Sequence, residues 1–146
     1  MRRKIFFLLI IGMFLSLLVF AACDKNSNTT EKKVYKPSIT VEGNVKSEEI
    51  VRALLEKYFK HYMENTVPIE ERLKDFRIDR IDIKEESPNG IYFTVSFSVK
   101  PSISNSDWMA GNGVIKENGW MEKKFWFVRV KKEGNTYIME GWGTGP

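Results

Sequence analysis

The sequence predicts an α+β domain in which N-terminal helices pack on a curved antiparallel sheet of about four strands. Three observations carry this reading. Apolar residues recur at helical spacing between Ser47 and Asn65, the period switches to two from Phe76 onward, and turn signatures separate the apolar runs that follow. Helices first and strands afterwards is the order of an α+β domain with its helices on one face of the sheet.

The elements follow in order. A short extended piece, residues 38–42, ends at Gly43-Asn44. Ser47 then serves as an N-cap, with Glu48 and Glu49 in the first turn, where the helix dipole favours acids. Ile50, Val51, Leu54, Leu55, Tyr58, Phe59, Tyr62 and Met63 make one broad apolar face, and Arg52, Glu56, Lys57, Lys60 and Glu64 occupy the other. Pro68 in a first-turn position, with Glu70 and Glu71 behind it, predicts a second, short helix across residues 67–73. Phe76 and Ile78 alternate, then Ile81 and Ile83 alternate in the opposite phase, which requires a bulge near Asp79-Arg80.

Ser87-Pro88-Asn89-Gly90 is a turn, and Ile91, Phe93, Val95, Phe97 and Val99 behind it share one face of a half-buried strand. Residues 101–112 read as a long loop. A short strand at Val114-Ile115 and a turn at Glu117-Asn118-Gly119 lead to a long strand over residues 120–132. Glu133-Gly134-Asn135 turns the chain once more, and residues 136–142 complete the sheet.

Ahead of this domain stand Arg2, Arg3 and Lys4, followed by residues 5–22, a run without a charge. Such a run must enter a membrane. Of the 23 Lys and Arg, those three lie in the leader, and the 20 that remain balance 19 Asp and Glu. The basic pI is therefore no argument for nucleic-acid binding. Cys23 is the single cysteine and sits directly after the apolar run. It cannot form an internal disulfide.

Phe20-Ala21-Ala22-Cys23 resembles the lipobox of bacterial lipoprotein signal peptides, although Leu is more usual than Phe at its first position. The resemblance implies export, attachment of lipid to the Cys23 sulfur, cleavage between Ala22 and Cys23, and acylation of the new amino terminus. Acyl chains held this way anchor strongly, at roughly 0.8 kcal/mol for each buried methylene. An uncleaved transmembrane anchor is the alternative, since 18 apolar residues is near the lower length limit. Both place the bulk of the chain on the extracytoplasmic face of the cell membrane. Asp24 resembles the inner-membrane retention signal of some double-membrane bacteria.

The expected organisation is a signal peptide over residues 1–22, a flexible tether over 23–37 that is poor in apolar residues, and the folded domain over 38–146. The order of elements in that domain resembles the NTF2-like, or cystatin-like, superfamily, and within it the small lipoproteins of Gram-positive bacteria. That likeness rests on element order and brings no catalytic motif with it.

Candidate chemistry is sparse. His61, the one histidine, lies at the margin of the apolar helical face; a pocket enzyme would need it as a base, and the alternative is a helix-edge residue between polar and apolar surfaces. A single His and a lipidated Cys leave too few ligands for a metal, and no nucleotide-binding or hydrolase motif is present, so neither a metal nor a cofactor is expected. The unusual feature is aromatic crowding in the C-terminal part of the chain, where Trp108, Trp120, Trp126 and Trp142 accompany Phe125, Phe127 and Tyr137. Phe125 and Phe127 face one way along their strand while Trp126, Val128 and Val130 face the other, so both faces are apolar. One packs under the helices and the other is available to a ligand or partner, the alternative being that all these rings fill a core. Trp108, in its Asp- and Gly-bearing loop, is expected to be exposed.

The functional expectation is a membrane-tethered, non-enzymatic module. It binds a protein partner or small ligand through the concave sheet face and the Trp108 loop, with Trp126, Trp142 and His61 as further candidates. A small NTF2-like pocket enzyme and a structural cell-envelope protein remain as alternatives.

Overall fold

A computed structural model describes residues 34–145. The targeting segment, Cys23 and the tether up to residue 33 lie outside the described residues. The elements are β1 (Ser38–Thr40), α1 (Ser47–Tyr62), β2 (Leu73–Ser87), β3 (Gly90–Pro101), a 3-10 turn (Asp107–Met109), β4 (Val114–Ile115), β5 (Met121–Glu133) and β6 (Thr136–Gly143). All strand pairings are antiparallel, in the order β1-β6-β5-β3-β2, with β4 added to the start of β5. One helix thus packs on a curled, half-barrel sheet of six strands.

The helix follows its sequence pattern closely. Ile50, Val51, Leu54, Leu55, Tyr58, Phe59 and Tyr62 are buried against the inner face of the sheet. There they meet Phe93, Val95, Phe97 and Val99 from β3, Val128 and Val130 from β5, and Met139 from β6. Each such side chain, fully removed from water, contributes roughly 1.5–3 kcal/mol. Two details differ from expectation. Lys46 is the N-cap and Ser47 is already helical. The helix stops at Tyr62, where Met63 and Glu64 donate to the carbonyls of Lys60 and His61 and tighten the last turn.

The second helix does not form. Residues 64–72 instead make a chain of tight turns, with Val67 N donating to Glu64 O, Glu71 N to Pro68 O and Arg72 N to Ile69 O. Several carbonyls along this segment are held by side chains and by the distant loop that carries Trp108. The Arg72 guanidinium takes Asn65 O and Val67 O, both at 2.7 Å. Glu70 O accepts from Asp107 N and from the Ser106 hydroxyl, and Glu71 O accepts the Trp108 indole N–H at 2.6 Å. Tertiary partners here override a local preference.

The two strands beyond the expected four are the short ones, β1 and β4, at the two places where the sequence shows short extended pieces. In β2 the register slips between Ile78 and Arg80, as the phase change requires. Phe76, Ile78, Ile81 and Ile83 therefore all lie opposite inner-face residues of β3, namely Val99, Phe97, Val95 and Phe93. Another bulge lies in β5, where Lys123 takes a positive φ of 59° and the partners shift from Phe97↔Lys124 to Val99↔Met121.

Candidate functional site

Trp108 is buried, with 8% of its surface exposed, which corrects the expectation of an exposed ring. Ser106 caps the short turn by accepting from Trp108 N, and the indole enters the core beside Tyr62 at 5.3 Å, Phe59 at 6.0 Å and Trp126 at 6.0 Å. Trp126 packs on Phe97 at 4.4 Å, and Trp142 on Tyr58 at 4.8 Å. Burial pushes the Tyr58 phenol far above its ordinary pKa, with Tyr62 adding to the effect. The inner face is therefore covered by α1 and these rings.

The loop that carries Trp108 is clamped by Lys124, a buried lysine with 3% exposure. Its Nζ donates to the carbonyl oxygens of Trp108 at 3.0 Å, Ala110 at 2.9 Å and Asn112 at 2.9 Å, so each of the three ammonium protons has an acceptor. Burial lowers its pKa. Asn112 adds a two-point contact to the Phe125 backbone, donating to its carbonyl and accepting from its N–H. These groups are spent on holding the loop.

His61 lies on the helix edge, with its ring stacked on Tyr35 at 3.9 Å and its Nδ1 3.7 Å from a Glu64 carboxylate oxygen. Tyr35 and Pro37, which the sequence reading placed in the tether, pack against the domain; Pro37 is fully buried. Thus Trp108, which is buried, comes together with the half-buried Trp126 and Trp142 around Tyr58, and His61 lies apart from them on the helix edge.

The outer face carries the open features. Along β5, Phe125, Phe127, Arg129 and Lys131 point away from the helix, opposite Ser96, Thr94, Tyr92 and Gly90 of β3. Tyr92 and Phe127 stack with planes 13° apart and centroids 6.3 Å apart, and the Arg129 guanidinium lies 5.9 Å from the Tyr92 ring centre. On the other side of β5 the partners are Gly143, opposite Phe127, and Gly141, opposite Arg129. Where a side chain would normally cover the flank of these residues there is none. A cavity of about 330 Å³ results, lined by Tyr92, Phe127, Arg129, Gly141, Trp142, Gly143 and Gly145.

A second cavity of about 430 Å³ adjoins it and shares Tyr92 and Arg129, with Glu85, Ser87, Asn89, Lys131 and Glu140 supplying polar groups. Both volumes lie within the roughly 300–1,000 Å³ usual for ligand sites. Lys131 is engaged with Glu133 at 2.7 Å, and that contact raises its pKa. Arg129 makes no ion pair among the described residues. A hollow of about 630 Å³ beside the β4–β5 turn is lined by Ile115, Lys116, Glu117, Asn118 and Glu122 and contains no aromatic ring.

Elsewhere on the outer face the polar groups satisfy one another. Asp79 accepts from Arg77 at 2.6 Å and from the buried Ser98 hydroxyl at 2.7 Å, and Arg77 also faces Glu122 and the Trp120 ring. The slot at Arg129 is thus the place where rings, a cation without a carboxylate partner and bare backbone meet.

Sequence reasoning identified Phe125 and Phe127 as members of a second apolar face but not Tyr92, Arg129, Gly141 or Gly143. Their only sequence signal is a Gly-x-Gly spacing in the last strand, which gains meaning once the β5–β6 register is known. Comparison with protein families, with curated proteins and with solved structures found no match.

Proposed function

We propose that this chain is a lipoprotein, exported by residues 1–22, lipidated at Cys23 and held on the extracytoplasmic face of the cell membrane. In this reading the folded domain is a non-enzymatic binding module that works through the outer-face slot around Arg129. The observation that carries the address is the placement of the one cysteine directly after two alanines at the end of an uncharged run. A helix laid on a curled antiparallel sheet supports a distant kinship with NTF2-like, or cystatin-like, domains of Gram-positive lipoproteins. Fold likeness of that kind carries no activity.

Two measurements test the reading. Mass spectrometry of the native protein should find an acylated Cys23 at the amino terminus, and Cys23→Ala should abolish labelling by a palmitate analogue and leave the precursor uncleaved. An unlipidated chain beginning at Met1 overturns the address. For the binding role, Arg129→Gln should remove cross-linked partners recovered from membranes without lowering thermal stability, and Tyr92→Ala should remove them as well while lowering stability, because it ends the stacking on Phe127. Unchanged recovery with both variants overturns it.

A further inference from the structure

The two edges of the sheet differ in a way that bears on what binds. β2 forms one edge along all of Leu73–Ser87. It carries Lys74, Asp75, Arg77, Asp79, Arg80, Asp82, Lys84, Glu85 and Glu86, and three register shifts interrupt its pairing with β3. Charges and bulges of this kind discourage another chain from pairing with an edge. The opposite edge belongs to β6, and β1 covers only part of it: Ser38, Ile39 and Thr40 pair with Ile138, Tyr137 and Thr136, and Met139 N donates to Pro37 O at 3.0 Å. Before Pro37 the chain leaves the edge, because Tyr35 crosses to α1 and stacks on His61. Among the described residues, no strand then lies beside residues 140–143 on the side away from β5. Residues 140–145 are Glu-Gly-Trp-Gly-Thr-Gly, without proline and with one charge, at Glu140, where the β5–β6 register shifts by one residue.

We propose that residues 140–143 of β6 are a docking edge for an extended peptide segment of a partner protein. The segment adds as a strand in line with β1 and directs an acidic side chain over Gly141 toward Arg129. This names the partner class for the slot and rests on the binding reading above, though not on the lipid.

The occupant follows from the chemistry of the edge. Unpaired N–H and C=O groups at strand spacing are matched by another extended backbone, which is the basis of strand-addition recognition. An added strand and β5 flank β6, so they are separated by two strand spacings, roughly 10 Å. An arginine and a glutamate reaching toward each other span that distance only when the residue between them has no side chain, and Gly141 meets this condition. The cavity beside Phe127 then receives a neighbouring side chain of the same peptide. An acidic residue fits because Arg129 has no carboxylate partner among the described residues, and a charge-assisted pair of this kind is stronger than a neutral hydrogen bond.

The test uses the full chain in detergent micelles and a short acetylated peptide of alternating Val and Glu, read by hydrogen exchange of the β6 amides and by peptide affinity. The peptide should slow exchange across residues 140–143. The same peptide with alternate backbone nitrogens methylated should not, because it cannot complete the ladder. Replacing its Glu by Lys, or using Arg129→Gln, should weaken binding about tenfold. Gly141→Lys should abolish binding and leave the thermal midpoint unchanged, since a Cβ added at Gly141 meets nothing within 4 Å.

Equal binding of the methylated peptide overturns strand addition, as does absence of protection by any peptide. So do β6 amides already protected without peptide and released by deleting residues 24–33, or by dilution of a dimer, since the occupant would then be the tether or a second copy. If Arg129→Gln still removes membrane partners while no peptide protects β6, the slot binds something else and only this inference falls. If neither experiment responds, the binding reading falls with it.

Discussion

Three residues show how much of the sheet rests on single side chains or on their absence. Gly90 closes the β2–β3 turn at φ 155°, and a Cβ built there lies 2.0 Å from the Val130 carbonyl oxygen on β5. Backbone atoms of a central strand cannot yield to it, so Gly90→Ala should cost about 2–3 kcal/mol in urea unfolding. Lys124 sits at the opposite extreme, a long cation enclosed because three carbonyls meet its three protons. Lys124→Met keeps the apolar stem and removes every donor. We predict a loss of about 2–4 kcal/mol, with faster hydrogen exchange concentrated in residues 107–113; unchanged loop exchange would show that the clamp is incidental. Lys123, next in the chain, accepts a left-handed conformation because the β5 bulge turns its neighbour Lys124 inward.

At the scale of elements, the loop after β3 and the turns before β2 form one unit. Each leaves backbone groups that the other satisfies: Ser102 N donates to Arg72 O, Asp107 N to Glu70 O, and the Trp108 indole to Glu71 O. This is why residues 67–72 abandon the helix their Pro and acids favour. It also makes Trp108 a structural residue. Trp108→Ala should cost about 3–5 kcal/mol, and Trp108→Phe, which keeps most of the ring but drops the indole donor, about 1–2 kcal/mol. Denaturation curves of the two variants separate packing from the hydrogen bond. A Trp108→Ala domain of unchanged stability would contradict the placement of this ring.

The strand edges belong to the same scale. β2 keeps its four inner-face apolar residues aligned only through its bulges, so one device serves both core register and edge protection. The far end of β6 has one such feature, a register shift that leaves Glu140 without a partner on β5, and beyond it residues 141–143 carry neither a charge nor a bulge.

For the whole molecule, the period of the apolar residues was enough to place α1, β2, β3, β5 and β6, the turn at Asn89-Gly90 and the phase slip in β2. These features are local, and amphipathic spacing reports them directly. The long strand at residues 121–133 was legible as apolar on both sides, but spacing alone could not say which side the helix would cover. That depended on the pairing Val95↔Trp126 between β3 and β5, which joins distant parts of the chain. The slot needed a further long-range fact, that Gly141 and Gly143 fall opposite Arg129 and Phe127. A register shift of one residue would have put Trp142 there and closed it.

By itself, then, the sequence determined the helix, the strand order along the chain and the uncharged run of residues 5–22 directly before Cys23, because each is written in neighbouring residues. Tertiary structure alone decided that Trp108 is interior, that residues 67–72 are turns, and that an opening lies on the outer face. Burial and cross-strand pairing are properties of residues brought together from far apart, and no local period encodes them.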